Sequence, residues 1–162
     1  MMKKSIIFPL ALLGAFGLGI LTMSFVHHEG KEKPKTEKPL ILGAFSMSLN
    51  VKDLQKSKAF YEALGFSKMG GDEKNNYLIL KNGTTIIGIF SGFFEGNMLT
   101  FNPGWDENAK NMKKWDDVRV IEKHLKSKGI SIMTETDTTS TGPAFFMVQD
   151  PDGNVLLFDQ HR

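Results

Sequence analysis

The last three-quarters of this chain carries the same succession of elements twice, and this repeat constrains the fold more than any other feature. Each copy begins with a strand of alternating apolar and polar residues, continues with a short helix ended by glycine, and closes with a glycine-containing hairpin. The copies extend over about residues 43–92 and 97–162. Such a repeat is typical of a duplicated supersecondary unit. The sequence therefore predicts an α+β domain of two βαβββ modules, whose strands form one cupped, mixed or antiparallel sheet with the helices on its convex side.

The first module carries clear local signals for this arrangement. Residues 45–51 alternate between apolar and polar side chains, which indicates a strand with one face on the core. A helix is predicted over 53–64, because Asp53 is a suitable N-cap and Gly65 suits the left-handed backbone conformation that often ends a helix. The Asn82–Gly83 pair between two apolar runs predicts a hairpin with a type I′ turn, which needs positive φ at both positions.

The second module repeats this order with different residues. Residues 98–102 again alternate, and the acidic pair Asp116–Asp117 begins a helix that Gly129 ends. Pro151, Asp152 and Gly153 form a turn with a physical basis, since proline and glycine favour the backbone angles of turns. The remaining strands are predicted over residues 130–133, 144–149 and 155–160.

Two segments have no counterpart in the other module. Residues 104–115 carry both tryptophans of the chain, and residues 136–142 are rich in threonine and serine. Loops on a rigid scaffold often carry recognition. Each segment therefore either covers the mouth of the cup or is a solvated connection between elements.

The N-terminal part of the chain differs in character from the two modules. The Lys3–Lys4 pair precedes an uncharged run over 5–26, which is long enough to cross a bilayer as a helix. We therefore expect a hydrophobic helix over 1–28 that acts as a signal anchor or signal peptide, a polar linker over 29–40, and the two modules over 41–162. The lysines favour a cytoplasmic N-terminus, so that the modules are expected to be extracytoplasmic, either membrane-anchored or exported.

Composition removes several classes of function. The chain has no cysteine, which excludes disulfides, thiolate catalysis and cysteine-based metal sites. Residues 40–162 carry 14 Lys and Arg against 15 Asp and Glu, so that the modules are close to neutral. A nucleic-acid partner is not expected, because its recognition requires basic residues gathered on one face.

Three short motifs resemble one known family. They are Leu-Asn-Val-Lys-Asp at 49–53, Phe-Tyr at 60–61 with Leu-Gly-Phe at 64–66, and Asp-Pro-Asp-Gly-Asn at 150–154. The combination is similar to the vicinal oxygen chelate superfamily, which includes glyoxalases, extradiol dioxygenases, and fosfomycin- and bleomycin-resistance proteins. The likeness covers about residues 42–161. It implies a duplicated cupped fold and a possible homodimer, whereas the chemistry of the family is diverse.

In the metal-dependent members of that superfamily, divalent-metal ligands project from the concave face. The resemblance places the corresponding positions at Ser46, Ile87, Met98 and Leu157. None of these is a usual ligand of Fe, Mn, Ni or Zn, because Ile and Leu have no donor atom, a neutral hydroxyl is weak and a thioether prefers soft ions. We therefore expect no metal ligand, no cofactor and no assigned catalytic residue in the cup.

The polar faces of the two first strands are expected to look into the cup instead. Their neutral side chains can donate or accept hydrogen bonds, and with Trp105 from the insertion they predict a mostly apolar pocket with a few orienting groups. Asp159 lies on the same strand face as Leu157 and is a further candidate, whereas His161 is expected to fray at the end of the strand. The predicted ligand-binding residues are Ser46, Ser48, Asn50, Met98, Thr100, Asn102, Trp105 and Asp159.

These observations predict a domain that binds a small organic ligand in its concave cup without the usual divalent metal. One alternative is a metal-dependent lyase or extradiol dioxygenase of the same superfamily, with its ligands at other positions. A second alternative is a non-catalytic interaction module that uses the convex face or the helices. The three hypotheses differ in what the cup must contain: a cavity, a set of metal ligands, or neither.

Overall fold

Strands and helices follow one another in the order that the repeat predicts. The computed structural model describes residues 37–162, of which residues 38–162 form one unit. The first module contains β1 (Ala44–Asn50), α1 (Leu54–Ala63), β2 (Ser67–Asp72), a short 3-10 helix (Glu73–Asn75), β3 (Tyr77–Asn82) and β4 (Thr85–Phe90). The second contains β5 (Asn97–Asn102), α2 (Val118–Ser127), β6 (Ile132–Thr134), β7 (Ala144–Gln149) and β8 (Val155–Gln160).

The eight strands of the described region form one sheet in the order β2-β3-β4-β1-β5-β8-β7-β6. The first strands of the two modules, β1 and β5, lie side by side at its centre and run antiparallel. Each of them also pairs in parallel with the last strand of its own module, β1 with β4 and β5 with β8. The other pairs are antiparallel, so that the sheet is mixed. The predicted α+β architecture of two βαβββ modules is confirmed.

The expected hydrophobic helix over 1–28 lies outside the described residues, as does most of the linker over 29–40. Within residues 37–162, no helix is long and apolar enough to cross a membrane, since α1 and α2 have ten residues each. The N-terminal anchor therefore stays a prediction.

Each helix covers one half of the convex face with its own small core. Leu54 of α1 packs on three buried residues of β3 and β4, namely Leu78, Leu80 and Ile89. The core around α2 consists of Val118, Ile121, Phe146, Val148 and Phe158. On these strands the core residues alternate with residues that point to the other side of the sheet. The concave face is therefore left free of the helices.

The helices begin where the sequence predicts. Asp53 Oδ1 accepts a hydrogen bond from the backbone N–H of Lys56 at 3.0 Å, and Asp117 Oδ1 accepts one from the backbone N–H of Arg119 at 2.9 Å. Each aspartate thus satisfies one of the free N–H groups of a helix N-terminus. Gly65 follows α1 with a φ of +87°, which confirms its predicted place at the end of that helix.

The first hairpin turn differs from the prediction. Asn82 pairs with Thr85, so that Gly83 and Thr84 are the two central residues. Of these two, Gly83 alone has a positive φ, of +58°. This pattern fits a type II′ turn, which requires glycine at the first central position only, and the predicted type I′ turn is wrong.

The segment 136–142 is fixed to α2 and does not line the cup. Glu122 of α2 is 2 % exposed, and its Oε2 accepts a hydrogen bond from the backbone N–H of Thr136 at 2.9 Å. The Thr136 hydroxyl donates to the same oxygen. At the other end of the segment, the carbonyl of Gly142 accepts a hydrogen bond from Gln160 Nε2 at 2.9 Å. Of the two interpretations of this segment, a connection between elements is the one observed.

Glu122→Gln is expected to destabilise the fold in a pH-dependent way. Burial raises the pKa of the Glu122 carboxyl, but hydrogen bonds from Lys126 and Thr136 outweigh this effect, and the pKa lies below its ordinary value of 4.5. Because the pKa is lower in the folded state, the carboxylate stabilises the fold above the unfolded-state pKa, and this contribution is lost as the pH falls through the folded-state pKa.

We expect the Glu122→Gln variant to lose about 1–3 kcal/mol of unfolding free energy at neutral pH, and the difference from the parent chain to shrink in acid. Urea unfolding of both chains, from neutral pH down to about pH 3, measures this difference. A difference that stays constant over this range would contradict the role given to the charged carboxylate.

Candidate functional site

The concave face of the sheet borders a cavity of about 640 Å³. Side chains from both modules line it. Successive residues of a strand point to opposite faces, so that every second residue packs in the core beneath the helices and the others face the cavity. The central strands β1 and β5 form its floor. The first module builds one end of the cavity, and β8 with the 104–115 insertion builds the other.

Neutral hydroxyl groups occupy the floor. Ser46 and Ser48 of β1 and Thr100 of β5 line the cavity and are 8 %, 5 % and 6 % exposed. The antiparallel register places Ser46 opposite Thr100 and Ser48 opposite Met98. Ser48 Oγ and Thr100 Oγ1 lie 2.8 Å apart and share a hydrogen bond across the two modules. Among the described residues, no fully buried side-chain oxygen or nitrogen lacks a partner. The floor is therefore polar, and Ser48 and Thr100 are its paired hydroxyls.

A carboxylate, an imidazole and an indole form the end of the cavity that β8 and the insertion build. His161 Nε2 lies 3.3 Å from Asp159 Oδ2. The Trp105 ring stacks on the His161 ring with 4.3 Å between centroids and 18° between planes. Asn102 Nδ2 donates to the backbone carbonyl of Asp159 at 3.1 Å and lies 3.4 Å from His161 Nε2. The four residues form one connected group that faces the cavity, which we call the polar end.

The carboxyl group of Asp159 is partly withdrawn from water. Burial raises its pKa, and the positive charge of a protonated His161 opposes this rise. A carboxylate in such a position gains stability from a positively charged or hydrogen-bond-donating partner. Asp159 is therefore the group at the polar end that is best suited to a polar contact with a ligand.

Asp106 is the second carboxylate that lines the cavity, and backbone groups already engage it. Its Oδ1 accepts hydrogen bonds from the backbone N–H groups of Lys110 and Asn108, both at 2.9 Å. These bonds hold the pKa of Asp106 below its ordinary value. The insertion that carries Asp106 is itself fixed to β1, because the backbone N–H of Ala44 donates to the Trp105 carbonyl at 2.8 Å.

Four aromatic rings form the opposite end, which we call the aromatic end. Tyr77 of β3 and Phe90 of β4 stack with 5.6 Å between centroids and 4° between planes. Phe93 packs edge-on against both rings, 5.9 Å from Tyr77 and 5.6 Å from Phe90. Phe94 lies 5.3 Å from Phe90. The aliphatic side chains that complete this surface are Met69, Ile79 and Ile86.

Gly88 shapes the aromatic end from below. It pairs with Ser48 in the parallel register of β1 and β4, and so belongs to the concave face. A Cβ at this position would lie 2.5 Å from Phe90 Cε2, much closer than carbon atoms can approach without a shift. The missing side chain therefore lets the Phe90 ring lie along the floor.

Seven of the eight predicted ligand-binding residues line the cavity, and Asn50 does not. Asn50 shares a strand face with Ser48, but it ends β1, is exposed, and donates its backbone N–H to Asn97 Oδ1 at 3.2 Å. It thus lies beyond the cavity wall. The residues that the fold brings together are Ser46, Ser48, Met98, Thr100, Asn102, Trp105 and Asp159.

Ile87 is misplaced by the prediction. It pairs with Met47, on the face of β1 opposite to Ser46 and Ser48, and packs in the core under α1. The prediction counted four residues from the turn glycine in both modules. In both modules this glycine lies two residues before the first paired residue of the next strand, Thr85 in β4 and Val155 in β8. Thr85 lies on the helix side of the sheet and Val155 on the concave side, so that the same count reaches opposite faces.

The side chains at the superfamily's metal-ligand positions are poor ligands for a divalent metal. Ser46, Met98 and Leu157 line the cavity as expected, and the concave positions of β4 are held by Ile86, Gly88 and Phe90. These residues offer one neutral hydroxyl and one thioether, which are poor ligands for Fe, Mn, Ni or Zn. Within residues 37–162, no three His, Asp or Glu side chains come together in a way that could hold a metal ion.

The sequence reasoning missed the aromatic end and His161. Phe93 and Phe94 lie in the connection between β4 and β5, which has no strand or helix period to reveal where a side chain points. The available signal was two adjacent large aromatic residues in a glycine-containing connection. For His161 the signal was its position two residues after Asp159, which places both side chains on the same strand face. The prediction set this signal aside because the end of the strand was expected to fray.

The family model of the Glyoxalase/Bleomycin resistance protein/Dioxygenase superfamily matches residues 43–158, from the residue before β1 to β8. The chain belongs to this superfamily. The match includes both modules and confirms the resemblance seen in the short motifs. No curated protein matches this glyoxalase-like chain.

Solved structures share the fold over most of the chain. A glyoxalase/bleomycin resistance protein/dioxygenase superfamily member from Vibrio splendidus 12B01 is 17 % identical with a TM-score of 0.51, and the match covers 72 % of this chain and 97 % of that one. A protein named NAD-dependent benzaldehyde dehydrogenase, from Legionella pneumophila, is 20 % identical with a TM-score of 0.55, covering 73 % and 99 %. A hypothetical protein from Bacillus halodurans C-125 is 12 % identical with a TM-score of 0.52, covering 77 % and 96 %. These likenesses show the fold alone.

Ser48→Ala and Thr100→Val are each expected to lower the unfolding free energy by about 1 kcal/mol, because either change leaves the other hydroxyl without its protein partner. The double variant should lose less than the sum, which gives a coupling of about 0.5–1.5 kcal/mol in urea unfolding. Ser131→Ala combined with Thr100→Val is the control, because two sites without shared partners should be additive. Additive costs for Ser48 and Thr100 would contradict the hydrogen bond between the modules.

Proposed function

We propose that this domain binds a small organic ligand in its concave cup, without the divalent metal of the metal-dependent superfamily members. The observation that supports this proposal most is the division of the cavity into an aromatic end and a polar end, with a floor of neutral hydroxyls between them. Its volume of about 640 Å³ lies within the range of small-molecule sites, which are mostly apolar with a few polar groups that orient the ligand. Membership of the superfamily supports the concave face as the site.

The two ends contribute differently to such binding. Burial of ligand surface against the rings of Tyr77, Phe90 and Phe94 supplies most of the affinity, because aromatic side chains offer large apolar areas. Asp159 and Asn102 orient the ligand, because the polar end is the part of the cavity where they can form polar contacts with it. The Ser48 and Thr100 hydroxyls bond to each other, so that they depend less on a ligand partner than the polar end does.

The proposal extends to location and assembly. The uncharged run over 5–26 supports a membrane tether that holds the domain on the extracytoplasmic side. The superfamily resemblance supports pairing of two chains. Resistance of the full chain to alkaline extraction from membranes tests the tether, and light scattering tests the pairing.

A second groove offers a built-in comparison for locating the site. It has a volume of about 590 Å³ and lies beside the C-terminal end of α2, on the convex side of the sheet. Ser131 lines this groove, just as Ser48 lines the cup. The two serines therefore allow the same substitution to be made in either place.

Ser48→Trp is expected to abolish ligand binding, because the indole fills the floor of the cup. The measurement is a thermal-shift panel of cationic, neutral and anionic small molecules on the full chain, with each hit repeated on Ser48→Trp and on Ser131→Trp. Met98→Trp, on the same wall but less buried, gives a second test if Ser48→Trp folds poorly. Loss of binding in Ser131→Trp with retention in both cup variants would move the site to the convex groove.

Metal content separates the proposal from the enzyme alternative. The full chain, purified without chelator, is expected to hold Fe, Mn, Ni and Zn far below one ion per chain, because the cup offers no adequate set of ligands. Elemental analysis measures this directly. One ion per chain that survives dialysis would overturn the metal-free part of the proposal and favour a metal-dependent lyase or dioxygenase.

A further inference from the structure

The charges around the cup are unbalanced. Two carboxylates, Asp106 and Asp159, line the cavity together with one imidazole, His161. Among residues 37–162, no Lys or Arg lines it. The domain as a whole is close to neutral, so that this excess of acid is a property of the cavity and not of the surface in general. A cavity with this lining favours positive charge in whatever binds there.

The two carboxylates are not equivalent. Asp106 accepts two backbone hydrogen bonds, and the positive charges of Lys110 and Lys81 act on it. Among the described residues, the side-chain carboxylate of Asp159 has one partner, His161, whose Nε2 lies 3.3 Å from one carboxylate oxygen. Its side chain is 35 % exposed, and that exposed part faces the cavity. Asp159 is thus the carboxylate that remains open to a ligand.

The aromatic end lies on the far side of the cup from Asp159. Phe90 is on β4 and Asp159 is on β8, with β1 and β5 between them in the sheet. Across the sheet, three inter-strand spacings of about 4.8 Å separate the two backbones by roughly 14 Å. Along the strands, Phe90 is level with Asn50 of β1 and Asp159 is level with Ala44, which adds roughly 20 Å before the side chains shorten the gap. A ligand that reaches both ends must be elongated. Between the ends it passes over the hydroxyls of Ser48 and Thr100, which are paired with each other.

We propose that the ligand class of the cup is an elongated molecule with an aromatic or aliphatic body at one end and a single cationic nitrogen group, such as a primary amine, at the other. This inference rests on the function proposed above and specifies its ligand. The body packs on the rings of the aromatic end, and the cationic group donates hydrogen bonds to the Asp159 carboxylate. Charge-assisted hydrogen bonds of this kind are stronger than neutral ones.

The surroundings of Asp159 favour this pairing. A carboxylate that has lost part of its hydration gains more from a cation than one in open water. His161 stacks on Trp105 and is held at the side of the carboxylate, so that it leaves one oxygen free. The Trp105 face adds a surface against which the methylene groups or the cation of the ligand can lie.

Three molecules that share a phenylbutyl body test the inference: phenylbutylamine, phenylbutanol and phenylbutyrate. They differ only in the terminal group, which is cationic, neutral or anionic. Isothermal titration with the full chain is expected to give an affinity for the amine at least about tenfold higher than for the alcohol, and no binding of the carboxylate.

Asp159→Asn keeps the shape of the side chain and removes its charge. The variant is expected to bind the amine about tenfold more weakly while its affinity for the alcohol stays within about twofold, which also shows that the cup is still folded. Asp152→Asn, in the exposed turn before β8, is the matched control and should bind all three molecules as the parent does. A loss of amine binding in Asp106→Asn, but not in Asp159→Asn, would overturn the choice of carboxylate.

The outcomes separate this inference from the function on which it rests. Equal affinity for the amine and the alcohol, or tighter binding of the carboxylate, overturns the cationic ligand class but leaves a ligand-binding cup in place. The cationic ligand class is also overturned, and the ligand-binding cup is kept, if the amine does not bind while Ser48→Trp abolishes the binding of other molecules from the panel. No binding of any molecule to the cup overturns both.

Discussion

The antiparallel pairing of β1 with β5 is the constraint on which the rest of the structure depends. It sets Ser46 opposite Thr100 and Ser48 opposite Met98, so that the small polar residues of both modules meet on one face. Since side chains along a strand alternate strictly, a slip of one residue would send these groups into the helix-side core and bring Leu49 or Phe101 into the cup. The hydrogen bond between Ser48 and Thr100 marks the correct register. Cavity, floor and cores all follow from that one alignment.

The two modules repeat a scaffold but not its chemistry. The first supplies Tyr77, Phe90, Phe93 and Phe94, whereas the second supplies Asn102, Asp159 and His161 together with the insertion that carries Trp105. Two identical modules would offer the same side chains at both ends of the cavity. Here the halves have diverged in the residues that face inward, while the outward residues still serve the same purpose of packing beneath a helix. A fold-level likeness to solved structures therefore gives the shape of the cup, and the side chains have to give its use.

The sequence predicted most of this fold because the signals were local and periodic. Alternation placed β1 and β5, and the strands predicted over 144–149 and 155–160 coincide with β7 and β8. The Asp53 and Asp117 caps marked the helix starts. Alternation did not place β2, because Ser67–Asp72 contains two adjacent glycines and no alternating pattern. Ile87 was assigned to the wrong face, because the first paired residue after the turn faces the helices in β4 and the cup in β8. Phe93 and Phe94 were missed for a different reason. They lie in a connection that has no regular pattern of side-chain directions, and only tertiary packing brings them against Tyr77 and Phe90.

The paired hydroxyls in the middle of the cup have a consequence for recognition. Ser48 and Thr100 bond to each other, so that the centre of the cup would discriminate less among bound molecules than its charged and aromatic ends. For the proposed ligand, selectivity would then come from the two ends of the cavity, and the distance between the ends would set the length of molecule that binds. Compounds with the same terminal groups and different middle portions would bind to such a cup alike.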